Sequence, residues 1–317
     1  MGSANVDFVA RVDHLPAPGE TVLAGSLSRS PGGKGANQAV AARRLGADAA
    51  LLACVGEDPA GSELRAALRR EGVSGHVEVC AEAPTGSALV VVQPGGDNTV
   101  TVAAGANALL SPAVVARRAD LFDRVDAVLL QLEVPVSSAL DAAGRARSAG
   151  ARVVLNAAPL RQDAELGDLL RTVDVLVVNE EEALRLAGSP RPGAAAGFLD
   201  VAADLRRLGP AVAVVTLGRH GAVAAGAADR VAFPAPAVAS VDAVGAGDAF
   251  CAGLTVALCE GFTLSDAVRF ANACGALATG GVGAQASLPE RRAVDDLLAR
   301  EQPRAGSAPG STGAVQF

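Results

Sequence analysis

The chain has 317 residues, half of them apolar and 19% charged, with a net charge of −7. Of its 27 basic side chains one is lysine, Lys34, and the other 26 are arginine, while tyrosine and tryptophan are absent. An acidic chain with so few aromatics lacks the basic patch and stacking surfaces of a nucleic-acid binder, and Gly35 after the only lysine excludes both a Walker phosphate loop and a protein-kinase strand lysine.

Residues 6 to 31 show no helical period and read as extended, as do residues 84 to 104, where Ser87 to Gln93 and Thr99 to Val102 flank the hairpin signal Pro94-Gly95-Gly96-Asp97-Asn98. Two such excursions from one body can pair into a small sheet that acts as a lid, or serve as ordinary edge strands. Between them, Pro31-Gly32-Gly33-Lys34-Gly35-Ala36-Asn37-Gln38 runs into a helix stopped by Gly46. Glycines at a helix entry let polar ligands approach free backbone N–H groups, and Asn37 one turn in can engage hydroxyls; a plain packing turn is the alternative. A Schiff-base enzyme would have to use Lys34, and the crowding glycines point to a backbone role instead.

After residue 105 apolar strands at Ala127 to Leu132, Arg152 to Asn156, Val173 to Val178 and Ala211 to Leu217 alternate with helices at Pro135 to Ala149, Asn179 to Ala187 and Phe198 to Leu208. This rhythm predicts a mainly parallel sheet covered on both faces. Asp242-Ala243-Val244-Gly245-Ala246-Gly247-Asp248-Ala249-Phe250 then opens a helix that ends by Gly261. A dinucleotide fingerprint fails here, because Phe250 stands where a third glycine is wanted and no strand directly precedes the glycines. An anion site remains, with Gly245, Ala246 and Gly247 presenting N–H groups at a helix start. Asp248 beside that nest can take a proton from a hydroxyl attacking a phosphoryl group, or can simply stabilise the helix start. The tail from Glu301 to Phe317, rich in Gly, Pro, Ser and Ala, is expected to be disordered.

Gly2-Ser3-Ala4-Asn5-Val6-Asp7, Pro16 to Thr21, Pro31 to Gln38, Ala104 to Asn107, Gln131-Leu132-Glu133, Asn179 to Glu182, Thr216 to Gly221, Gly245 to Asp248 and Gly283-Ala284-Gln285 occur in order over residues 2 to 298. Together they resemble the ribokinase branch of the PfkB carbohydrate kinases. The resemblance implies an α/β fold, a ribokinase-like three-layer sandwich with a mainly parallel central sheet and a small β-sheet lid formed by 6–31 and 84–104, in a single domain over 1–300. It implies ATP-dependent phosphorylation of the 5-hydroxyl of D-ribose, with Asp248 as base and the amides of Gly245, Ala246 and Gly247 stabilising charge. Asn5, Asp7, Gly33, Lys34, Asn37 and Glu133, with Asp248, match sugar-contacting positions, and Asn179, Thr216, Gly218, Gly221 and Asn272 match nucleotide-contacting ones. Glu182 falls where relatives hold magnesium through water, although Asn179-x-x-Glu182 also has capping-box spacing. Asp242, Val244, Gly283 and Ser287 match a monovalent-cation site, which implies potassium activation. A homodimer is the family's usual arrangement.

Relatives have a short apolar strand ahead of the Gly-Ser that stands here at residue 2, so a central strand is expected to be truncated and a version extended upstream to be more soluble and more active. Ala243 stands where many relatives have Thr. His14, His76 and His220 lack metal-ligand spacing. The five cysteines are scattered without a Cys-x-x-Cys pair, which points to a reducing compartment, and Cys251, Cys259 and Cys274 read as buried structural thiols. No long apolar run or leader core is present, so a cytoplasmic protein without membrane contact is expected. Another sugar or nucleoside kinase for deoxyribose, fructose or adenosine, a non-catalytic sugar-binding protein and a nicotinamide dehydrogenase are the competing readings.

Overall fold

The computed structural model describes residues 1–94, 98–161 and 163–301. In chain order the regular elements are β1 (Asn5–Arg11), β2 (Ser26–Gly32), α1 (Lys34–Arg44), β3 (Ala50–Gly56), α2 (Pro59–Arg70), β4 (Ser74–Cys80), β5 (Gly86–Val92) and β6 (Asn98–Ala103). They continue through α3 (Pro112–Arg117), β7 (Ala127–Gln131), α4 (Val136–Ser148), β8 (Arg152–Asn156), α5 (Leu166–Thr172), β9 (Val175–Asn179), α6 (Glu180–Ala187) and α7 (Phe198–Leu205). The last are β10 (Val212–Thr216), β11 (Ala222–Ala225), β12 (Arg230–Phe233), α8 (Ala246–Cys259), α9 (Leu264–Ala278) and α10 (Arg291–Glu301).

The main sheet has the order β12-β11-β10-β9-β8-β7, with β7 to β10 parallel and the last two strands antiparallel. Its strands are continuous Val, Leu and Ala runs because both faces are covered. Alternation along β8 and β9 shows how: Val153, Leu155, Leu176 and Val178 enter one core with α4 and α7, whereas Val154, Val175 and Val177 enter a second core with α1, α8 and α9. Each side chain flips to the opposite face from its neighbour, so the five-residue strands feed two helical layers at once. The three-layer expectation holds. β3 and β4 form a separate parallel pair.

β2, β1, β5 and β6 form a second, four-stranded sheet in that order, so residues within 6–31 and 84–104 lie side by side. The register pairs Asp7 with Ala88 and Arg11 with Val92, which sets Asn5, Asp7, Val9 and Arg11 on one face. Centred on Gly95 to Asp97, the hairpin turn lies outside the described residues. Helix α10 runs on to Glu301, the first residue of the segment expected to be disordered, because Val294, Leu297 and Leu298 keep a helical apolar spacing against the second core; the rest of that segment is outside the described residues. Among the described residues no helix is long and apolar enough to cross a membrane.

Candidate active site

The C-terminal ends of β8, β9 and β10 carry Asn156, Asn179 and Thr216 to one edge of the main sheet, where ligands of open parallel sheets bind. Helices α1 and α8 pack against each other in the second layer and start at this edge. A cavity of about 510 Å3 lies between that edge and the cleft-facing side of the four-stranded sheet. Its walls bring together Asn5, Asp7, Lys34, Asn37, Glu133 and Asp248 with Asn179, Glu182 and Thr216. Val100 and Val102 of β6, exposed to 54% and 38%, form the apolar side of the same cavity.

Gly33 makes the α1 entry possible. It holds φ at 89°, and a Cβ there would stand 2.7 Å from the Asn5 nitrogen, so only glycine lets the helix start touch β1. Gly245 does the same for α8, with φ 85° and a would-be Cβ 2.9 Å from the Ala284 carbonyl oxygen. The Ala246 N–H donates to the Ala243 carbonyl at 3.2 Å and closes the turn. The next two amides, of Gly247 and Asp248, belong to the first turn of α8, where a helix offers no acceptor of its own. Space around the Gly247 α-carbon is open, with no atom within 4 Å of a would-be Cβ.

Asp248 sits at the third position of α8 and is buried. The Asn37 Nδ2 donates to its Oδ2 at 2.9 Å and the Gln38 Nε2 to its Oδ1 at 2.9 Å. Burial pushes its carboxyl above the ordinary carboxylate range; Lys34, Asn37 and Gln38 pull it back only in part, and Glu133 adds to the rise. Asp7 is raised to about 7 by burial and by the charges of Glu133 and Asp248 against the opposing pull of Lys34. Burial works against the Lys34 ammonium, but Asp248, Glu133 and Glu182 outweigh it and hold its pKa above the usual value. Four carboxylates, those of Asp7, Glu133, Glu182 and Asp248, thus share one lysine.

Glu133 ties the elements together. Its Oε2 accepts from the Ser3 hydroxyl at 2.5 Å, the Lys34 N–H at 3.3 Å and the Asn5 Nδ2 at 3.4 Å. Glu182 forms the capping box of α6: the Asn179 N–H donates to its Oε2 at 2.9 Å and its own N–H donates to the Asn179 Oδ1 at 2.9 Å. The structural role is therefore real, and the same buried carboxylate also lines the cavity. Asp242 is buried as well, its Oδ1 accepting from the Val244 N–H at 3.1 Å and its Oδ2 from the Gly283 N–H at 3.3 Å and from Arg11 Nη2 at 3.1 Å. Ser287 joins this cluster through its hydroxyl, which donates to the Gly283 carbonyl at 2.7 Å.

Gly218, Gly221 and Asn272 lie outside the 510 Å3 cavity. A Cβ on Gly221 would stand 2.0 Å from the Phe233 carbonyl oxygen, to which Asn272 Nδ2 also donates at 3.2 Å. Asn272 lines a further cavity of about 320 Å3 with Pro236 and Arg269. His220 is exposed, and so is Cys259, against the expectation of a buried thiol: its place in the last turn of α8 turns it off the core, whereas Cys251 and Cys274 are buried.

Sequence reasoning missed the residues that hold the site residues. Gln38 has its Oε1 locked by a donation from Gln131 Nε2, so its amide can only present Nε2 to Asp248. Asn107, fully buried, accepts from the Ala4 N–H at 2.9 Å and donates to the Asn5 Oδ1 at 2.7 Å. Both stand inside motifs that the sequence shows, and the available signal was an amide on the buried face of an otherwise apolar element.

The model of the pfkB family carbohydrate kinases matches residues 1–291. The chain belongs to that family. It is 34% identical over 299 residues to a ribokinase of Haemophilus influenzae, covering 94% of this chain and 97% of that one. Against a ribokinase of Bacillus subtilis it is 35% identical over 300 residues, covering 94% and 98%. Among solved structures, the Arabidopsis thaliana ribokinase complexed with ribose and ATP superposes with a TM-score of 0.84 at 32% identity, covering 94% of this chain and 96% of that chain. This chain is accordingly a carbohydrate kinase, and the ribokinase resemblance read from its motifs extends over the whole fold.

Proposed function

We propose that the chain transfers the γ-phosphoryl group of ATP to the 5-hydroxyl of D-ribose, giving ribose 5-phosphate and ADP. The observation that carries this reading is the buried Asp248 carboxylate, fixed by Asn37 and Gln38 beside the open amides at the α8 start, in one cavity with a polar wall of Asn5, Asp7, Lys34 and Glu133. Asp248 accepts the proton of the 5-hydroxyl as that oxygen attacks the γ-phosphorus, and the bond to the β-phosphate oxygen breaks to release ADP. Gly245, Ala246 and Gly247 form the turn that sets the nest, with amides at the helix start facing the charge that develops on the transferring group. Carboxylates and amides that each engage two hydroxyls suit a free sugar, and Asn5, Asp7, Gly33, Lys34, Asn37 and Glu133 supply that set.

ATP is placed along Asn179, Thr216, Gly218, Gly221 and Asn272, which run from the cavity to the Phe233 backbone. Among the described residues no group of three His, Cys, Asp or Glu forms a metal cage, which suits Mg2+ held mainly by phosphates and water with Glu182 behind them. Such an ion would neutralise phosphate charge. For K+, the candidates are Asp242, Val244, Gly283 and Ser287, clustered here by the Val244 and Gly283 N–H groups and Arg11 donating to the Asp242 carboxylate and by the Ser287 hydroxyl donating to the Gly283 carbonyl. A cytoplasmic homodimer completes the reading, with Leu27 and Leu89, exposed to 69% and 59% on the four-stranded sheet that serves as lid, as candidates for the contact.

An ATP-coupled assay over ribose, deoxyribose, fructose and adenosine, with and without K+, tests the proposal. Highest kcat/KM for ribose, raised by K+, is expected; equal rates for the four acceptors would remove the substrate assignment. Lys34→Arg is expected to raise the ribose KM about tenfold with little change in melting temperature, because a planar guanidinium cannot sit as a point charge among Asp248, Glu133 and Glu182. An unchanged KM would make the lone lysine a compositional accident.

A further inference from the structure

Gln131, the last residue of β7, and Gln38 of α1 lie outside the walls of the 510 Å3 cavity, yet both are buried in one chain of hydrogen bonds that ends on Asp248. Gln131 Nε2 donates to Gln38 Oε1, and Gln38 Nε2 donates to Asp248 Oδ1 at 2.9 Å and to Asn156 Oδ1 at 3.3 Å. Backbone carbonyls, which only accept, anchor the chain at both ends. Gln131 Nε2 also donates to the Leu129 carbonyl at 3.4 Å, and Asn156 Nδ2 donates to the Val177 carbonyl at 3.4 Å. The amides of Gln131 and Asn156 therefore have fixed senses, and a reversed Gln38 would set oxygen against oxygen at Asn156 and NH2 against NH2 at Gln131. This sense is kept although it leaves Gln131 Oε1 buried and without a partner among the described residues, which is unfavourable for a polar atom.

Asn37 is the opposite case. Its Nδ2 donates to Asp248 Oδ2 at 2.9 Å, while its Oδ1 is buried with no partner among the described residues. A half-turn of this amide therefore breaks no second bond, and once Oδ2 carries a proton it exchanges a lost acceptor for a new one. The two oxygens of the carboxylate are thus unequal: Oδ1 meets a donor that is held from behind, and Oδ2 meets one that can reverse.

We infer that Gln131 is a positioning residue which, through Gln38, holds Asp248 Oδ1 as a fixed acceptor and leaves Oδ2 to take the proton of the acceptor hydroxyl. The inference rests on the reading of Asp248 as base. As the hydroxyl oxygen bonds to the γ-phosphorus and the bond to the β-phosphate oxygen breaks, the hydroxyl proton moves to Oδ2, Asn37 turns its Oδ1 to the new O–H, and the proton passes to water once the product leaves. A donor that cannot reverse favours the ionised carboxylate. It opposes burial, which pushes the Asp248 carboxyl up; Lys34 and Asn37 act with it, and the charge of Glu133 acts against it. The other titratable groups facing Asp248 are Asp7 of β1, whose charge repels it, and the Cys251 thiol of α8, which burial keeps neutral.

Gln131→Met removes the distant donor and keeps the side-chain volume. The acid limb of kcat at saturating ribose is expected to move up by about half a pH unit to one unit, because freeing Gln38 weakens a hydrogen bond to a charged group. Above the limb, kcat and KM should stay within about twofold. Gln38→Met, which removes the donor itself, should move the limb by about one unit or more. The Asp248 carboxyl is also titrated directly by 13C NMR of Asp-labelled protein, with Asp248→Asn assigning its signal, and the same displacements are expected without turnover. Should Gln131→Met not fold, Gln131→Leu gives both readouts. A carboxyl midpoint unmoved in the folded Gln131 variant, or a kcat lowered equally at every pH, overturns the inference and makes Gln131 a packing residue. Phosphorylation of ribose with an unmoved midpoint would overturn the inference alone, whereas a displaced midpoint in a chain that phosphorylates no sugar would keep the hold on Oδ1 and remove the reading of Asp248 as base.

Discussion

Asp248→Asn should reduce kcat about 10³-fold, the scale set by loss of a positioned general base, while leaving the ribose KM within about twofold and the fold intact. Conservation of the fold follows from the neighbours. Gln38 must keep presenting Nε2, because its Oε1 accepts from Gln131, so the new amide has to place its oxygen at the old Oδ1 position. Its NH2 then faces Asn37, whose Oδ1 is buried and without a partner, and a flip of the Asn37 amide converts a lost acceptor into a new hydrogen bond. Removing a buried charge also offsets the weaker pairing with Lys34. Steady-state kinetics and a ribose titration check this together. Equal loss of binding and turnover would mean that Asp248 only organises the sugar wall, and retained turnover would remove it as base.

What made the site legible was local. Glycines at the two helix entries and polar residues one turn later mark Gly33 to Gln38 and Gly245 to Asp248 in the sequence itself, and both stretches do start helices at one sheet edge. The continuous apolar strands from β7 to β10, separated by helices, likewise point to a parallel sheet covered on both faces. The supporting shell was not legible. That Asn107 reaches Asn5 across 102 positions, or that Gln131 locks Gln38, depends on tertiary geometry that no local pattern encodes. Cys259 was misread for a related reason: membership of an apolar helix says nothing about which side its last turn presents. Arg11 is the clearest case. On β1 it stands 231 positions from Asp242, yet its Nη2 meets the buried Asp242 Oδ2 at 3.1 Å, a pairing that no local pattern encodes.

Asp7→Asn is expected to act in opposite directions on stability and on sugar binding. Asp7 Oδ1 is buried without a partner, and a Cβ on Gly32 would stand 2.0 Å from Oδ2, so the carboxylate lies flat against the neighbouring strand. With its pKa raised from 3.8 to about 7, the folded state holds a proton that the unfolded chain has released across that window. Stability therefore falls as pH rises from about 4 to about 7, and the cost is complete above it. The Asn variant lacks this slope. Its melting temperature should exceed that of the original chain by a few degrees at pH 8, with the difference gone at pH 4. Ribose binding moves the other way. A bare carboxylate accepts hydroxyl protons that an amide meets with one oxygen only, so KM for the variant should rise about 10- to 100-fold, the range for a hydrogen bond to a charged group. In the original chain KM should also fall as pH rises through about 7, and in the variant that dependence should vanish. Equal melting differences at pH 4 and pH 8 would show that Asp7 stays ionised, and an unchanged KM would separate it from the sugar. The combination expected here, a variant more stable at pH 8 and poorer at binding, means that the fold carries an unfavourable buried charge because the ligand's hydroxyls relieve it.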